Sequence, residues 1–535
     1  MAGALKNINE LYDKAVREGS ERAEQFWGTI PKDFASIADL CDDSDTPRDV
    51  DTLVSYLREF HKEKGIYSQK VEDHLLSLKN GSILGGQQPI VFGGSGFIAN
   101  KIACLTFTHE ILAEQGKDYS PIFMIGSDGL QKELIRAYFP NPISPNATLL
   151  DLQTDQLPDT SAERIKLPNL DWFKEIVKDI EESFRGFRKK VKGAQQKLVK
   201  ERFDHIVTLL TMVFNQSDSF NDMFVRIWGT IANVINDIGI IFLPVSDNRI
   251  KKYYVEPYLK FLDSIETYTE TFERQTEKIN KLEYHSSLPN RSLKYSPFYL
   301  ICDCDIRVNP DIKIVEGKRI AHGHCQHCNK IMNFPVGTAD EIMKIEHRLA
   351  PRVDTSQLVL QDLLNVKVRI SGPGEIAYYA QVAPSIRAIG FRTPIFVKYK
   401  RLFYNSPWNE KLGKQLESRN QGSIHGSKIF DQLKKRLHAL REGSAEGVRE
   451  AEITIATTII EEYNLLLKRA SKHEPSIYLS WQFGRFTPEK FGQEVSWIWI
   501  DMALQTGLND YIQTYRRMYT PYSVPGLPYF TNTNL

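Results

Sequence analysis

The stretch that decides the fold runs Gly81-Ser-Ile-Leu-Gly-Gly-Gln-Gln-Pro-Ile-Val-Phe-Gly-Gly-Ser-Gly-Phe-Ile-Ala-Asn-Lys101. A short apolar strand leads into two glycines and two glutamines at 85–88, and a second glycine cluster at 93–96 opens a helix to about residue 114. The next apolar run, residues 121–125, has the length of a strand. Strand, glycine loop, helix and strand form one crossover unit, for which a parallel sheet is the natural setting.

Two interpretations of this glycine-rich loop remain open at this point. Glycines let backbone N–H groups approach a ligand, and the following helix N-terminus attracts anions. The alternative is a turn that only connects strand to helix. The adjacent Gln87 and Gln88 favour a ligand site, because glutamines at the end of a strand have little packing value. Lys101 lies one to two helical turns beyond Gly94, so its ammonium group could reach back to the loop, although simple exposure on the helix is also compatible with the pattern.

A second unit of the same plan follows near residue 370. Val366–Ile370 alternates like a strand, Ser371–Gly374 is a turn, Glu375 starts a helix through Ile389, and Thr393–Val397 is a further strand. Two such halves separated by a long insertion predict one interrupted, doubly wound α/β domain of Rossmann-like type. Its ligand crevice is expected between the halves.

Composition bounds the class of protein. The chain has 535 residues, 41% of them hydrophobic and 25% charged, with a formal net charge of +1. This balance gives no electrostatic reason to expect nucleic acid or an anionic membrane as partner, and no apolar run approaches the ~18 residues of a membrane span. Six cysteines, four of them clustered, suit a reducing cytoplasm better than a disulfide framework.

The clustered cysteines form the strongest metal-binding pattern in the chain. Cys302-Asp-Cys304 is followed after twenty residues by Cys325-Gln-His-Cys328, and residues 312–320 between them have a strand–turn–strand pattern. Two close pairs of cysteines on a short hairpin match tetrahedral Zn²⁺ coordination, and a four-thiolate site would be closed and therefore structural. The nearby histidines at 322, 324 and 327 could replace one sulfur; clustered free thiols are the alternative.

Two ungapped motifs resemble one known family. Gly85–Gln88 with Phe92, Gly94 and Lys101, and the run Ser371–Gln381, resemble the bacillithiol biosynthesis cysteine-adding enzymes (BshC). The first motif of that family reads Thr-Gly-Gln-Gln, followed by Phe-Thr-Gly-Pro and a lysine. Gly85 stands here at the threonine position. The second motif, Gly-Pro-Gly-Glu-Ile-Ala-Tyr, is matched in full from residue 372 to residue 378.

The chain departs from this family at two places. The loop at 126–133 resembles a family segment that reads roughly Gly-Glu-Asp-His-Asp-Phe. Asp128 matches its first aspartate, but Ser127, Gly129 and Leu130 replace the glutamate, the histidine and the second aspartate. Losing an imidazole removes the side chain best suited to proton transfer near neutral pH. The cysteine cluster is the second departure. Zinc ribbons inserted in an interrupted nucleotide-binding core are similar to those of class I aminoacyl-tRNA synthetases, which the family resembles in architecture.

The resemblance implies a ligase that joins the carboxyl group of cysteine to the amine of glucosamine-malate. Activation of the carboxylate by ATP is the chemical expectation, with cysteine and the amino-sugar conjugate as small-molecule partners and a homodimer as a further expectation. Two other hypotheses remain: an aminoacyl-transfer enzyme with a different acceptor, and a non-catalytic binding protein that kept the fold.

The residue roles follow from the motifs and the resemblance together. The first glycine loop would hold phosphate or acyl-phosphate oxygens, Glu375 would hold an ammonium group, and Asp128 would accept a proton. The predicted catalytic residues are Asp128, Lys101 and Gln87; the predicted substrate- and nucleotide-binding residues are Gly85, Gly86, Gln88, Gly93, Gly94, Gly374, Glu375, Tyr378 and Gln381; and the predicted metal ligands are Cys302, Cys304, Cys325 and Cys328.

The predicted domain organisation runs in chain order. Apolar residues at alternating spacings of three and four, between 430 and 467, predict a helical coiled-coil hairpin, with a globular helix pair as the alternative. The tail from Pro521 is expected to be a surface loop. The predicted segments are an N-terminal helical layer (1–80), the first half of the Rossmann-like core (81–140), a mostly helical insertion (141–300), a zinc-ribbon-like module (301–335), the second half of the core (336–405), the coiled-coil hairpin (406–472) and a C-terminal helical segment with the tail (473–535).

Overall fold

The computed structural model describes most of the chain. The described residues are 6–41, 50–126, 133–140, 148–154, 159–189, 191–405, 449–450, 452–454, 493–527 and 529–532. Over these residues the helices are α1 (Asn9–Glu18), α2 (Glu21–Trp27), α3 (Ile37–Leu40), α4 (Asp51–Glu63), α5 (Gln69–Leu76), α6 (Phe97–Glu114), α7 (Leu170–Arg188), α8 (Ala194–Gln216), α9 (Phe220–Gly229), α10 (Asn248–Lys251), α11 (Val255–Asp263), α12 (Ile265–Lys281), α13 (Ala339–Met343), α14 (Ser356–Leu364), α15 (Pro373–Ala388), α16 (Gln493–Ser496), α17 (Ile500–Thr506) and α18 (Leu508–Arg516).

The strands are numbered in the same way. They are β1 (Lys6–Asn7), β2 (Ser82–Gln87), β3 (Ser120–Ile125), β4 (Arg136–Phe139), β5 (Thr148–Asp151), β6 (Ile241–Pro244), β7 (Tyr284–His285), β8 (Phe298–Ile301), β9 (Arg307–Val308), β10 (Asp311–Val315), β11 (Lys318–His324), β12 (Ile331–Pro335), β13 (Leu349–Pro351), β14 (Val366–Ser371), β15 (Ile395–Lys398), β16 (Leu402–Asn405) and β17 (Tyr529–Asn532).

The centre of the structure is a five-stranded parallel sheet in the order β15-β14-β2-β3-β6. The strands are short and almost entirely buried, as expected of strands covered by helices on both faces. The predicted parallel α/β core is therefore confirmed. The third strand of the first half, β6, comes from inside the predicted insertion, where residues 240–245 lie next to β3.

The order of the strands creates a reversal at the middle of the sheet. From β2 the chain moves outward through β3 to β6, whereas from β14 it moves to β15 on the opposite side. β2 and β14 are therefore adjacent strands from which the two halves wind in opposite directions. In open α/β sheets, ligands bind at the carboxyl ends of such a pair.

The cysteine-rich region folds as two small antiparallel sheets. β10, β11 and β12 form one sheet, and β8 forms the other with β9 and β13. The two cysteine pairs lie in the turns that join β8 to β9 and β11 to β12. Both pairs are thus held in the turns of short hairpins, and the strand–turn–strand predicted at 312–320 between them corresponds to β10 and β11.

The segment after residue 492 returns to the core. Trp499 donates its indole N–H to the carbonyl oxygen of Phe92 at 2.7 Å, and α18 packs on α6. The tail does not form the expected surface loop, because β17 pairs in parallel with β16 and Val524 is fully buried. The predicted coiled-coil hairpin lies outside the described residues. In the part of the chain that the structure covers, no helix combines the length and apolar character that crossing a membrane requires.

The N-terminal helices cover the sheet and bond to it through buried polar groups. Tyr12 of α1 donates its hydroxyl to the carbonyl oxygen of Phe396 on β15 at 2.5 Å. On α4, the ring of His61 contacts the Leu57 carbonyl through Nδ1 at 2.7 Å, and Phe242 of β6 donates its N–H to Nε2 at 2.9 Å. The imidazole is therefore neutral, with Nδ1 as the donor. Complete burial lowers the pKa of His61 from its ordinary 6.5 to about 4.

This histidine predicts an acid sensitivity of the fold. Because the folded pKa lies below the unfolded one, His61 stabilises the protein fully above about pH 6.5, and the contribution is lost as the pH falls toward 4. Its size is ~3 kcal/mol. We expect His61→Gln to be less stable than the native chain at pH 7.5, and the difference to shrink at pH 4.5 in denaturant unfolding. His205→Gln, an exposed histidine on α8, is the control; an equal pH dependence of both variants would contradict the assignment.

Candidate functional site

The two sequence motifs meet at the reversal of the sheet. Leu84 of β2 lies opposite Arg369 of β14 in the parallel register, so the carboxyl ends of both strands lie side by side. Helix α6 begins after the glycines of the first motif and carries its lysine, and α15 begins inside the second motif, at Pro373. The topology thus brings together residues that are almost three hundred positions apart in the chain.

Lys101 joins the two motifs physically. Its side chain is buried on α6, which excludes the exposed alternative. The ammonium nitrogen lies 2.8 Å from the Gly86 carbonyl oxygen, 3.2 Å from Gln87 Oε1 and 2.8 Å from Glu375 Oε2. An ammonium group has three N–H donors, and these acceptors use all of them. In this arrangement Lys101 supplies positive charge to the site while its donors are engaged within the protein.

Glu375 is the acceptor at the centre of the cluster. Its Oε2 also accepts the N–H of Gly372 at 2.8 Å, which ties the carboxylate to the start of its own helix. Its Oε1 accepts from Arg369 Nη2 at 3.3 Å. Burial raises the pKa of Glu375, but Lys101 and Arg369 outweigh it, so the pKa lies below its ordinary value. The carboxylate is therefore ionised between two cations at neutral pH.

The two glycines at 85 and 86 in the first motif differ in how much space surrounds them. A Cβ on Gly86 would lie 2.2 Å from Met124 Cγ, so the close approach of β3 demands glycine there. A Cβ on Gly85 would make only ordinary contacts, the nearest at 3.8 Å. This position has room for the threonine that the resembled motif carries.

Gly93 and Gly94 are buried beneath the C-terminal segment. Both have positive φ, of 83° and 73°. Their N–H groups donate to the carbonyls of residues 90–91 at 3.0 Å, and the Gly93 carbonyl accepts from Trp228 and the Gly94 carbonyl from the backbone of Trp499. The structure thus gives this glycine pair a packing role, with its backbone donors already used.

The remaining predicted binding residues lie at different places on α15 and the loops. Gln87 donates to Gln88 Oε1 at 3.3 Å beside the cluster. Gly374 is exposed in the first turn of α15, and Tyr378 lies one turn further along, half-buried. The structure does not bring Gln381 to the cluster, because its amide bonds to Thr276 and to the backbone of Leu288. Asp128 and its neighbours at 127–130 lie outside the described residues.

Two polar residues of β14 belong to the site and were not predicted. Arg369 is almost completely buried, and its guanidinium contacts Met124 Sδ at 3.6 Å as well as Glu375. Ser371 is fully buried. Within the described part of the chain, Arg369 Nε and Ser371 Oγ have no hydrogen-bond partner. The signal was present in the sequence: both faces of a central parallel strand are covered, so its alternating polar residues must be buried.

The four clustered cysteines converge in the structure. All four sulfur atoms lie within 4.8 Å of one another. The Cys302–Cys328 and Cys304–Cys325 sulfur separations are both 3.5 Å, and that of Cys304 and Cys328 is 3.6 Å. The cluster can hold a metal ion.

Comparison with known families agrees with this geometry. The family described as "Bacillithiol biosynthesis BshC, N-terminal Rossmann-like domain" matches residues 5–399. The chain belongs to the BshC family. The match contains the whole parallel sheet and both motifs, and it ends two residues before Arg401.

Three BshC relatives illustrate the distance within the family. A protein of Lysinibacillus sphaericus is 20% identical over 453 residues, which are 80% of this chain and 77% of the relative. Proteins of Oceanobacillus iheyensis and Staphylococcus epidermidis are each 22% identical over 67% of this chain, and the match covers 63% and 64% of their lengths. Each of the three carries the name "Putative cysteine ligase BshC".

The buried ion pair predicts a strong coupling between the motifs. Lys101→Met should destabilise the protein by about 3 kcal/mol or more, because it leaves a buried carboxylate without one partner. The double variant with Glu375→Gln should be less destabilised than the sum of the two single variants. Chemical denaturation of the four proteins measures this coupling. Lys70→Met, which removes an exposed ion pair to Asp237, is the control, with an expected cost of ~0–1 kcal/mol. Equal costs for Lys101→Met and Lys70→Met would contradict the prediction.

Proposed function

We propose that this BshC-family protein is a ligase that joins the carboxyl group of cysteine to the amine of glucosamine-malate, with ATP as co-substrate. The name of the relatives, "Putative cysteine ligase BshC", supports the reaction. The main observation behind the proposal is that the ion pair of Lys101 and Glu375 joins the two motifs at the point where the strand order reverses.

The chemistry explains why a nucleotide is part of the proposal. A carboxylate is a poor acyl donor, so phosphoryl or adenylyl transfer from ATP must first convert one carboxylate oxygen into part of a leaving group. The amine then attacks the acyl carbon, the C–N bond forms, the activated oxygen departs with its phosphorus group, and the amine loses a proton. Every anionic species on this route is stabilised by fixed positive charge in a partly water-excluded site.

The residues of the cluster suit this requirement in different ways. Lys101 and Arg369 contribute positive charge against the single negative charge of Glu375, so these three side chains carry a net charge of +1. Gln87 is oriented by Lys101, which donates to its oxygen and leaves its NH₂ group facing Gln88. We propose Asp128 as the proton acceptor on the basis of its match to the family loop.

The function is tested by cysteine consumption in the purified protein. With ATP and glucosamine-malate, we expect cysteine and ATP to be consumed together and the amide product to appear by mass spectrometry. Gln87→Ala should lower kcat/KM about tenfold or more, because it removes an oriented amide at the site, whereas Gln25→Ala on the exposed surface of α2 should have no effect. Turnover only with another amine would favour a different acceptor. Absence of nucleotide and cysteine binding would favour a non-catalytic protein.

We further propose that the four cysteines bind one structural Zn²⁺. Four thiolates at 2.3 Å from a tetrahedral ion lie about 3.8 Å apart, close to the observed sulfur separations of 3.5 and 3.6 Å. Cys302 and Cys325 are buried and Cys328 is exposed at the rim. With four protein ligands the site has no open position, so bound zinc would supply folding energy to the two hairpins and take no part in the reaction.

The zinc proposal predicts a metal content and a stability effect. Protein purified without chelator should hold one Zn²⁺ per chain by elemental analysis. Cys302→Ser should lose the metal and increase proteolysis between residues 301 and 335, because structural zinc contributes on the order of 10 kcal/mol to small domains. Cys41→Ser, a buried thiol elsewhere in the chain, should retain the metal. A zinc-free native protein would refute the site.

Two further parts of the proposal concern the protein as a whole. We propose a cytoplasmic location, since bacillithiol synthesis consumes cytoplasmic metabolites and the cysteines suit a reducing compartment. A homodimer formed through residues 406–472 also remains a proposal. These residues lie outside the described part of the chain.

A further inference from the structure

We propose that the start of α15 and Arg401 form a subsite for an oxyanion of the substrate, a carboxylate or a phosphate. The inference deepens the proposed function and rests on it only for the identity of the ligand. The proposal rests on three observations: the charges around Glu375, the hydrogen-bond and ion-pair partners of the basic residues at 398–401, and the open space at Gly374.

The three basic residues at 398–401 have different environments. Lys398 and Lys400 form buried ion pairs, whereas Arg401 is the cation beside the site. Lys398 pairs with Asp13 at 2.7 Å and Lys400 with Glu452 at 2.7 Å, both as buried side chains. Arg401 has a different environment. Its closest carboxylate among the described residues, Glu494, is 3.8 Å away, and its side chain keeps 13% of its surface exposed.

The position of Arg401 is fixed by Tyr399. Arg401 Nη1 donates to the Tyr399 hydroxyl oxygen at 2.9 Å. The Tyr399 ring lies against Gly372, where a Cβ would come within 3.2 Å of it, and its centroid is 5.8 Å from Lys101 Nζ. The guanidinium therefore lies one aromatic side chain away from the start of α15. Its charge is also close enough to lower the pKa of Lys101, after burial as the main cause.

The start of α15 itself has room for a ligand. A Cβ added to Gly374 would meet no atom within 4 Å, in contrast to Gly86, where packing excludes one. Gly374 and Glu375 occupy the first turn of a 16-residue helix, where backbone N–H groups and the helix dipole favour an anion. The second observation is the buried guanidinium of Arg369, whose Nη2 donates to Glu375 in this turn and whose Nε has no partner within the described residues.

The net positive charge of the side chains around Glu375 favours an anionic ligand. Lys101, Arg369 and Arg401 are three cations, and Glu375 is the one carboxylate in contact with two of them. Glu494 lies deeper, where its oxygens also accept from Leu402 and Asn100, and even when it is ionised the three cations and two carboxylates leave a net charge of +1. An ammonium group at this place would meet net positive charge. The oxyanion subsite therefore replaces the ammonium-binding role expected for Glu375.

Equilibrium binding tests the subsite without depending on turnover. Isothermal titration of the full-length protein with L-malate and, separately, with ATP provides a carboxylate and a phosphate probe. We expect one of the two probes to bind at least tenfold more weakly to Arg401→Met and about fivefold more weakly to Gly374→Ala. Arg401→Lys should retain part of the binding. Which probe responds identifies the oxyanion as carboxylate or phosphate.

Two variants distinguish a loss of binding from a loss of folding stability. Gly374→Ala places a better helix former at an uncrowded helix position, so its melting temperature should be equal or higher while binding falls. Arg226→Met is the matched control, since Arg226 has the same 13% side-chain exposure but pairs with Asp222 away from the motifs. Its binding of both probes should equal that of the native protein.

The outcomes separate this inference from the proposed function. If neither probe binds the native protein, or if Arg401→Met and Gly374→Ala bind both probes as the native protein does, the subsite is refuted even when cysteine ligation is observed. If binding depends on Arg401 and Gly374 but no ligation occurs with any acceptor, the subsite stands and the proposed reaction is refuted. Equal loss of binding in Arg226→Met would also refute the subsite.

Discussion

The ion pair between Lys101 and Glu375 is the interaction on which the rest of the site depends. It is buried where two strands diverge, and each partner belongs to a different half of an interrupted domain. Removing two charges from water is costly, and the mutual attraction offsets this cost only when the remaining hydrogen-bonding groups are also satisfied. Lys101 meets this condition with three acceptors, and Glu375 with a backbone N–H and a second cation. The long insertion can therefore fold between the halves without separating them.

The parallel core could be predicted because its signals are local. A strand, a glycine turn and a helix within thirty residues admit few arrangements, and right-handed crossovers leave one. The pairing of β16 with β17 could not be predicted in this way. It joins residues 402–405 to residues 529–532, and nothing in the proline-rich tail distinguishes a strand partner from a surface loop. Only the burial of Val524 and its neighbours shows that the tail belongs to the core.

The structure brings the two predicted motifs together, but the physical roles of their glycines were not accessible from the sequence. Gly86 and Gly93 are required by the close approach of Met124 and Trp499, which are distant from them in sequence, and Gly94 by the side chain of Ile90, four residues before it. Gly374 has no such neighbour. A glycine that packing requires and a glycine that leaves space for a ligand look the same in a sequence, and only the surrounding atoms distinguish them.

The cysteine-rich module is connected to the site through the backbone that follows it. The turn carrying Cys302 extends from β8, which pairs with β13, and β13 leads through α14 into β14 with Arg369 and Ser371. At the base of this path, the buried carboxylate of Asp354 accepts hydrogen bonds from Tyr295 and from Arg291, the latter at 2.9 Å. Order imposed on the hairpins by a metal would thus extend to the strand that presents the buried guanidinium. A closed metal site would influence the start of α15 by this route, through the placement of β14 and without contact with a ligand.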